Sequence, residues 1–263
     1  MKLTSRSRFT RAFTAIELAA VIVGLSLPAA TLLPALARAK AKANRVKCVN
    51  NLKYIYTSHL GFAQDNTERM PWQLTTSGHR AHAGPNAIND PTWGTDIERI
   101  WSCRALQAEL QTPKILHSPC DPGAAAHNEI IQENWRAYDL RQNRKLPRQG
   151  LSYALHLGAD THRPSTILAL TRNFDGDDAP LYQHPGLPET KPLRVPLGRS
   201  LRVDSRNTTF IGADQSSNSR VMAGLLQSQG QLVLMDGSAK QTNDIHLQRQ
   251  LHAHKNSRGG TTP

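Results

Sequence analysis

The feature that most constrains this chain is an apolar run from Phe13 to Leu36, FTAIELAAVIVGLSLPAATLLPAL, in which Glu17 is the one charge among 24 residues. As a helix rising ~1.5 Å per residue, such a run is ~36 Å long, enough to cross a hydrocarbon core of ~30 Å. It is preceded by a short basic segment, MKLTSRSRFTRA at 1–12, with Lys2, Arg6, Arg8 and Arg11. An ordinary signal peptide has a shorter apolar core that ends at a small-residue cleavage site. Here the run leads into more helix-compatible, basic sequence instead. An ordinary transmembrane anchor fits the length but leaves Glu17 unexplained, because an unpaired charge there costs ~2.5–3.5 kcal/mol. Pro28, preceded by Gly24 and Ser26, removes a backbone hydrogen bond and crowds the preceding turn, so a kink or local melting is expected near it.

Past Leu36 the helix is expected to continue to about Asn66. Val46, Val49, Leu52, Tyr56, Leu60 and Ala63 step by three or four, while Lys47, Asn50, Asn51, Lys53 and Ser58 fill the remaining positions. This half should lay one face on a globular head. Gly61 weakens it, and Asp65-Asn66 should end it.

The formal charge of +12 could point to nucleic acid, but its distribution argues otherwise. Residues 1–66 hold ten Lys/Arg against Glu17 and Asp65, a net +8, and residues 67–263 hold 22 against 18, a net +4. Most of the excess therefore flanks the apolar run, where cations set topology and meet anionic headgroups. No specific nucleic-acid partner is expected.

The basic leader, the F-T-x-I-E-L beginning at Phe13 and the apolar helix together resemble the N-terminus of type IV pilin-like proteins and type II secretion pseudopilins. The resemblance implies that a prepilin peptidase cuts between Ala12 and Phe13 and that the new amine of Phe13 is methylated. It also implies that Glu17 pairs with the N-terminal amine of a neighbouring pilin-like subunit in a filament. Pro34 matches a helix-bending proline common in such sequences, whereas Ala12 stands where the family usually has Gly. Further along, Lys47-Cys48-Val49-Asn50-Asn51-Leu52-Lys53 is similar to the K-C-x-N-N-L-K of one bacterial subfamily. Thr112–Pro122, TPKILHSPCDP, is similar to that subfamily's T-P-K-I-L-x-C-P-x-D. Its G-D-R-N appears here as Leu170-Thr171-Arg172-Asn173, and its late D-G hairpin as Asp236-Gly237.

In the head, residues 67–94 read as loop. Thr95 and Glu98 fit a capping box that starts a short helix, with Ile97, Trp101 and Leu110 facing the core. Pro113 stops that helix and Lys114–His117 could enter a strand. A short helix is an option near Glu129–Tyr138. Leu151–Leu157 and Ser165–Thr171 read as strands joined by a turn at Asp160–Arg163. Asp236-Gly237 lies between two extended runs and suits a tight hairpin in which both central residues take positive φ. Asn243 or Asp244 can cap a last helix bearing Ile245, Leu247 and Leu251.

Tests for chemistry find little. The histidines lack a recognisable third or fourth ligand, and HExxH, GxSxG, P-loop and GxGxxG patterns are absent. Asp175, Asp177 and Asp178 are weak calcium candidates, because an EF-hand ligand order is missing. There is no CxxC pair. In an exported head Cys103 and Cys120 could form a disulfide, with free buried thiols an equal alternative. Cys48 reads as a small residue packed under the head.

The expectation is an α+β protein: a long N-terminal helix, transmembrane then amphipathic, packed on a small antiparallel-sheet head. Its parts are a leader at 1–12, a transmembrane helix at 13–36, a helical extension at 37–66, a pilin-like head at 67–254 and a disordered tail at 255–263. It is expected to be a structural subunit of a type II secretion or type IV pilus-like system rather than an enzyme. It should need no cofactor and sit in the inner membrane as a single-pass protein among membrane lipid, with its head on the outer side. The alternative is a tethered envelope module that never polymerises and whose head binds polysaccharide or extracellular DNA.

Overall fold

One helix, α1, runs from Ala15 to Asp65 in a computed structural model of the chain. The structure describes residues 14–83, 97–101, 103–122, 134–138, 146, 150–156, 158–175, 182–183, 209–212 and 222–257. The chain divides into two compact units, Met1–Lys42 and Ala43–Pro263.

α1 is helical through both Pro28 and Pro34, so of the two outcomes expected near Pro28, a kink or local melting, melting does not occur. A proline removes one N–H from the ladder and crowds the carbonyl four residues back. The helix ends where expected. The Asn66 side-chain amide donates to the Phe62 carbonyl at 2.7 Å, and the Glu68 N–H donates to the Ala63 carbonyl at 2.8 Å. Thr67 and Glu68 turn the chain with φ of 55° and 60°.

The face of α1 that the head buries is not the one the apolar pattern indicates. Cys48, Asn51, Leu52, Ile55, Ser58, His59, Phe62 and Ala63 are buried, whereas Val46 is exposed and Val49, Tyr56 and Leu60 are only partly covered. The spacing is helical, but polar residues occupy part of the stripe. Each has a hydrogen bond: Asn51 Nδ2 donates to the His117 carbonyl at 3.1 Å, Ser58 Oγ to the Ile55 carbonyl at 2.9 Å, and His59 Nδ1 to the same carbonyl at 2.8 Å. Polar groups satisfied in this way are tolerated in a core. The apolar members, Leu52, Ile55 and Phe62, each contribute about 1.5–3 kcal/mol by burial.

The head contains a five-stranded antiparallel sheet in the order β4-β1-β2-β6-β7. Its strands are β1 (Tyr153–His156), β2 (Ile167–Thr171), β4 (Tyr182–Gln183), β6 (Gln229–Leu234) and β7 (Ala239–Asn243). A separate pair joins β3 (Phe174–Asp175) to β5 (Thr209–Phe210). The central strands are buried on both faces. Tyr153, Leu155, Ala169 and Val233 face the cluster that holds Leu52, Ile55 and Phe62 of α1. Ala154, Ile167, Leu170, Leu232 and Leu234 face Leu247 and Leu251 of the last helix, α5 (Asp244–Ser257). A register shift between Ile167 and Ala169 lets Leu168 and Ala169 both join the α1 side.

Of the short helices, α3 (Ile97–Ile100) and α4 (Arg104–Leu110) add Ile97, Ile100, Leu106 and Leu110 to the α1-side core, and α2 (Thr76–Ala83) sets His82 against Phe62 of α1. Ile97, Trp101 and Leu110 are core residues as expected. Thr95 lies outside the described residues. Of residues 67–94, which read as loop, the described part to Ala83 is partly helical: Pro71–Gln73 forms a 3-10 turn before α2. Pro113–Leu116 is also a 3-10 turn, not a strand, because Thr112 Oγ1 accepts from the Lys114 N–H and starts it. Near Glu129–Tyr138, Trp135–Ala137 forms a 3-10 turn within the described part. In α5, Asn243 Oδ1 accepts from the His246 N–H, Leu247 and Leu251 are buried, and Ile245 is exposed. The helix runs through Ser257, into the stretch expected to be a disordered tail.

Candidate functional site

Two surfaces of α1 carry the functional argument. On the first, Ala15 to Leu36, every large apolar side chain described is exposed, from 48% at Val21 to 78% at Ile16. Pro34 is exposed too. An all-round apolar helix is stable only when something apolar covers it, whether lipid or other helices. Among the described residues, no helix is long and apolar enough to cross a membrane. Leu27, Pro28, Ala29 and Thr31, which belong to the continuous run of the sequence, have side chains outside that description.

Glu17 sits at the start of this surface and has a local partner. Thr14 immediately precedes the first helical residue. Its N–H and its Oγ1 each donate to Glu17 Oε2 at 2.9 Å, and the Glu17 N–H donates to Thr14 Oγ1 at 3.3 Å. This is a reciprocal capping box, which satisfies donors that a helix start otherwise leaves open. The signal, Thr-Ala-Ile-Glu, is legible in the sequence but masked there by the competing prepilin reading. Ala12 and Phe13 lie outside the described residues, as do Asp177, Asp178 and the side chain of Asp175. Among the described residues no His/Cys/Asp/Glu group could hold a metal.

The second surface is where the C-terminal half of α1 meets the head. Gln231 on β6 donates from Nε2 to the Arg45 carbonyl at 3.0 Å, while its own N–H donates to Thr171 Oγ1 at 3.0 Å. Asn51 Nδ2 also donates to the Tyr153 hydroxyl at 3.2 Å. His59 lies between two indoles, 5.1 Å from Trp101 edge-on and 5.8 Å from Trp72. Its Nδ1 must carry the proton to donate to a carbonyl, and Nε2 is buried without a partner. Burial pushes its pKa down from 6.5 to about 4, against the weaker opposing effect of the Ile55 carbonyl.

The β6–β7 turn closes over the same part of α1, but not as expected. The Gly237 N–H donates to the Leu234 carbonyl at 3.1 Å, and Gly237 has φ of 80°. Asp236 is not among the positive-φ residues. Instead its Oδ1 accepts from the Ser238 N–H at 2.8 Å. The Leu234 N–H donates to the Ser238 carbonyl at 3.2 Å, so the closed loop is Met235–Gly237, three residues with glycine in the left-handed position, rather than a two-residue turn with both centres left-handed. A Cβ on Gly237 would lie 2.9 Å from Tyr56 Cε1, so glycine also allows the turn to approach α1 closely.

Arg172 and Asn173 take structural positions. Arg172 pairs with Asp121 at 2.6 Å, with both side chains buried. Asn173 Nδ2 donates to the Ile211 and Gln229 carbonyls at 3.0 and 2.8 Å, tying the residue after β5 to the start of β6. Of the two alternatives for Cys103 and Cys120, a disulfide or free buried thiols, the structure has the second. All three are free and buried, and Cys103 belongs to the main core with Leu106 and Leu110, whereas Cys120 clusters with Cys48.

No protein-family model, curated protein or solved structure matches this chain.

Proposed function

We propose that this chain is a membrane-anchored, pilin-like structural subunit of the bacterial envelope, processed by a prepilin peptidase and assembled through its apolar N-terminal helix. The observation that carries the reading is the contrast along α1. From Ala15 to Leu36 its described large apolar side chains are exposed, whereas from Cys48 onward one face is buried in an antiparallel-sheet head. A helix with that first half needs an apolar environment beyond its own chain, and a bilayer followed by a bundle of like helices supplies one. The N-terminal resemblance supplies the processing chemistry: cleavage before Phe13 and methylation of the new amine. In this reading the type II secretion or type IV pilus-like machinery is the partner, together with inner-membrane lipid and other pilin-like subunits. The head lies on the outer side of the membrane.

One observation favours a second reading, in which the helix is only a tether and the head binds an envelope polymer such as polysaccharide or extracellular DNA. The capping box gives Glu17 a partner within its own chain, so the carboxylate is accounted for without a neighbouring subunit. Intact mass and N-terminal sequencing of protein isolated from its own membranes separate the two. A chain beginning at methylated Phe13 is expected for the filament subunit. A chain beginning at Met1 overturns processing and leaves the tethered module.

A further inference from the structure

We propose that Cys48 and Cys120 are a disulfide site that staples the head to α1, with Cys103 left as a free thiol. Cys48 lies on the buried face of α1, and Cys120 follows the 3-10 turn at Pro113–Leu116. The two belong to one small buried cluster with Met222 and Leu225. Ser118 holds them together: its Oγ lies 2.8 Å from Cys48 Sγ and accepts from the Cys120 N–H at 3.1 Å.

The loop that carries Cys120 is pinned from several sides. Asn51, one turn along α1 from Cys48, holds the His117 carbonyl at 3.1 Å. Ser152 Oγ accepts from the Ser118 N–H at 2.9 Å, and Asp121 is fixed by Arg172 at 2.6 Å. The Ala223 N–H donates to the Cys120 carbonyl, which draws the covering segment over the pair. Cys103 is placed differently, packed among α4 and the Trp101 region of the main core. The two facing thiols also differ in acidity. A hydrogen bond from Cys120 pulls Cys48 down to about 7, against the cost of burial, while the same contact pushes Cys120 up. Either thiol, once deprotonated, can open the exchange before the fold closes, and the step is the same with the two cysteines interchanged.

The chemistry requires a disulfide-bearing oxidant, either a protein dithiol oxidase in its disulfide form or a small-molecule disulfide. Cys48 thiolate attacks one sulfur of the oxidant and expels the other as a thiolate, giving a mixed disulfide. Cys120, losing its proton, then attacks Cys48 Sγ and expels the second sulfur. The protein loses two protons and two electrons, and the oxidant becomes a dithiol if it is a protein or two thiols if it is a small-molecule disulfide. Burial of both sulfurs in the finished fold places this exchange before Met222 and Leu225 close over the pair.

The inference depends on the envelope reading only for the source of the oxidant, and the test has two arms. In the first, reduced full-length protein is unfolded, then refolded in detergent with a reduced/oxidised glutathione mixture, trapped with N-ethylmaleimide and peptide-mapped. A Cys48–Cys120 cross-link with maleimide on Cys103 is the expected result. Maleimide on all three cysteines, or a link that includes Cys103, overturns the proposal. In the second arm the same mapping is done on protein trapped directly in intact cells. Thiols reduced there, with the link formed on refolding, would refute an exported head and leave the disulfide site standing. Reduction of the linked protein, or Cys48→Ser, should lower Tm by roughly 5–15 °C. Cys103→Ser should leave both the link and the reduction-sensitive part of Tm unchanged.

Discussion

His59 offers a quantitative test of how α1 is seated in the head. It is fully buried between Trp72 and Trp101, and its pKa falls from 6.5 to about 4 because burial penalises the imidazolium. Between those values the unfolded chain takes up a proton that the folded chain refuses. Stability from the neutral imidazole is therefore fully present above about pH 6.5 and declines by about 1.36 kcal/mol per unit as pH falls. The loss is complete near pH 4 and amounts to about 3 kcal/mol.

The comparison is between wild type and His59→Phe, which keeps a ring between the two indoles and titrates nothing. The Ile55 carbonyl loses only the imidazole contact, since Ser58 Oγ still donates to it. Urea unfolding of the full chain in detergent, read by tryptophan fluorescence from pH 7 to pH 4, gives the free-energy difference at each pH. Carboxylates elsewhere titrate in both proteins and cancel. The difference should change by about 3 kcal/mol across the window, with wild type losing more. A change below about 0.5 kcal/mol, or an imidazole that titrates near its ordinary pKa in histidine NMR spectra, would refute the burial argument.

Other substitutions test separate contacts. A Cβ on Gly230 would come 2.0 Å from Phe210 Cε1, so Gly230→Ala should cost roughly 1–3 kcal/mol by urea unfolding. Phe210→Leu in the same chain should recover part of that loss. Gly237→Ala meets both a φ of 80° and Tyr56, so Tyr56→Ala should relieve the clash and leave the roughly 1–2 kcal/mol backbone part. Asp121→Ala removes a carboxylate 2.6 Å from the buried Arg172 guanidinium and should cost roughly 1–3 kcal/mol in thermal unfolding.

Elements with a strong local signal were legible in the sequence. α1, the β1–β2 pair, the β6–β7 hairpin and α5 all follow from periodicity, turn residues and caps, within a few residues. The phase of the α1 stripe was not, because three of its buried positions are Asn51, Ser58 and His59. Polar types reveal burial only when their partners are known, and His117 and Tyr153 are distant in sequence. The same limit hid the pairing of Arg172 with Asp121 and the proximity of Cys48 to Cys120. Strands buried on both faces lose the alternation that separates core from solvent, so the covering role of α5 was not visible either. Lys114–His117 reads as a strand entry, yet Thr112 ahead of Pro113 starts a 3-10 turn there by accepting from the Lys114 N–H.

Glu17 is where two physical accounts make opposite predictions. The junction with the head is set by polar contacts, Asn51 and Gln231 among them, that are satisfied in only one register. The apolar half offers few such groups: between Thr14 and Leu36 the charged side chain is that of Glu17. If its role is to pair with the amine of a neighbour, charge is what matters. Glu17→Gln and Glu17→Ala should then both insert normally and both fail to cross-link into filaments, since leaving that amine unpaired in an apolar bundle is costly. If its role is the capping box with Thr14, acceptor geometry matters instead, and glutamine serves almost as well as glutamate. Glu17→Gln should then assemble like wild type, while Thr14→Ala loses about 0.5–2 kcal/mol of helix-start stability. Cysteine cross-linking in native membranes reads assembly in all three variants, and protease protection confirms insertion. Filaments formed by Glu17→Gln at wild-type yield would remove the intersubunit ion pair from the mechanism. Register would then have to come from the heads.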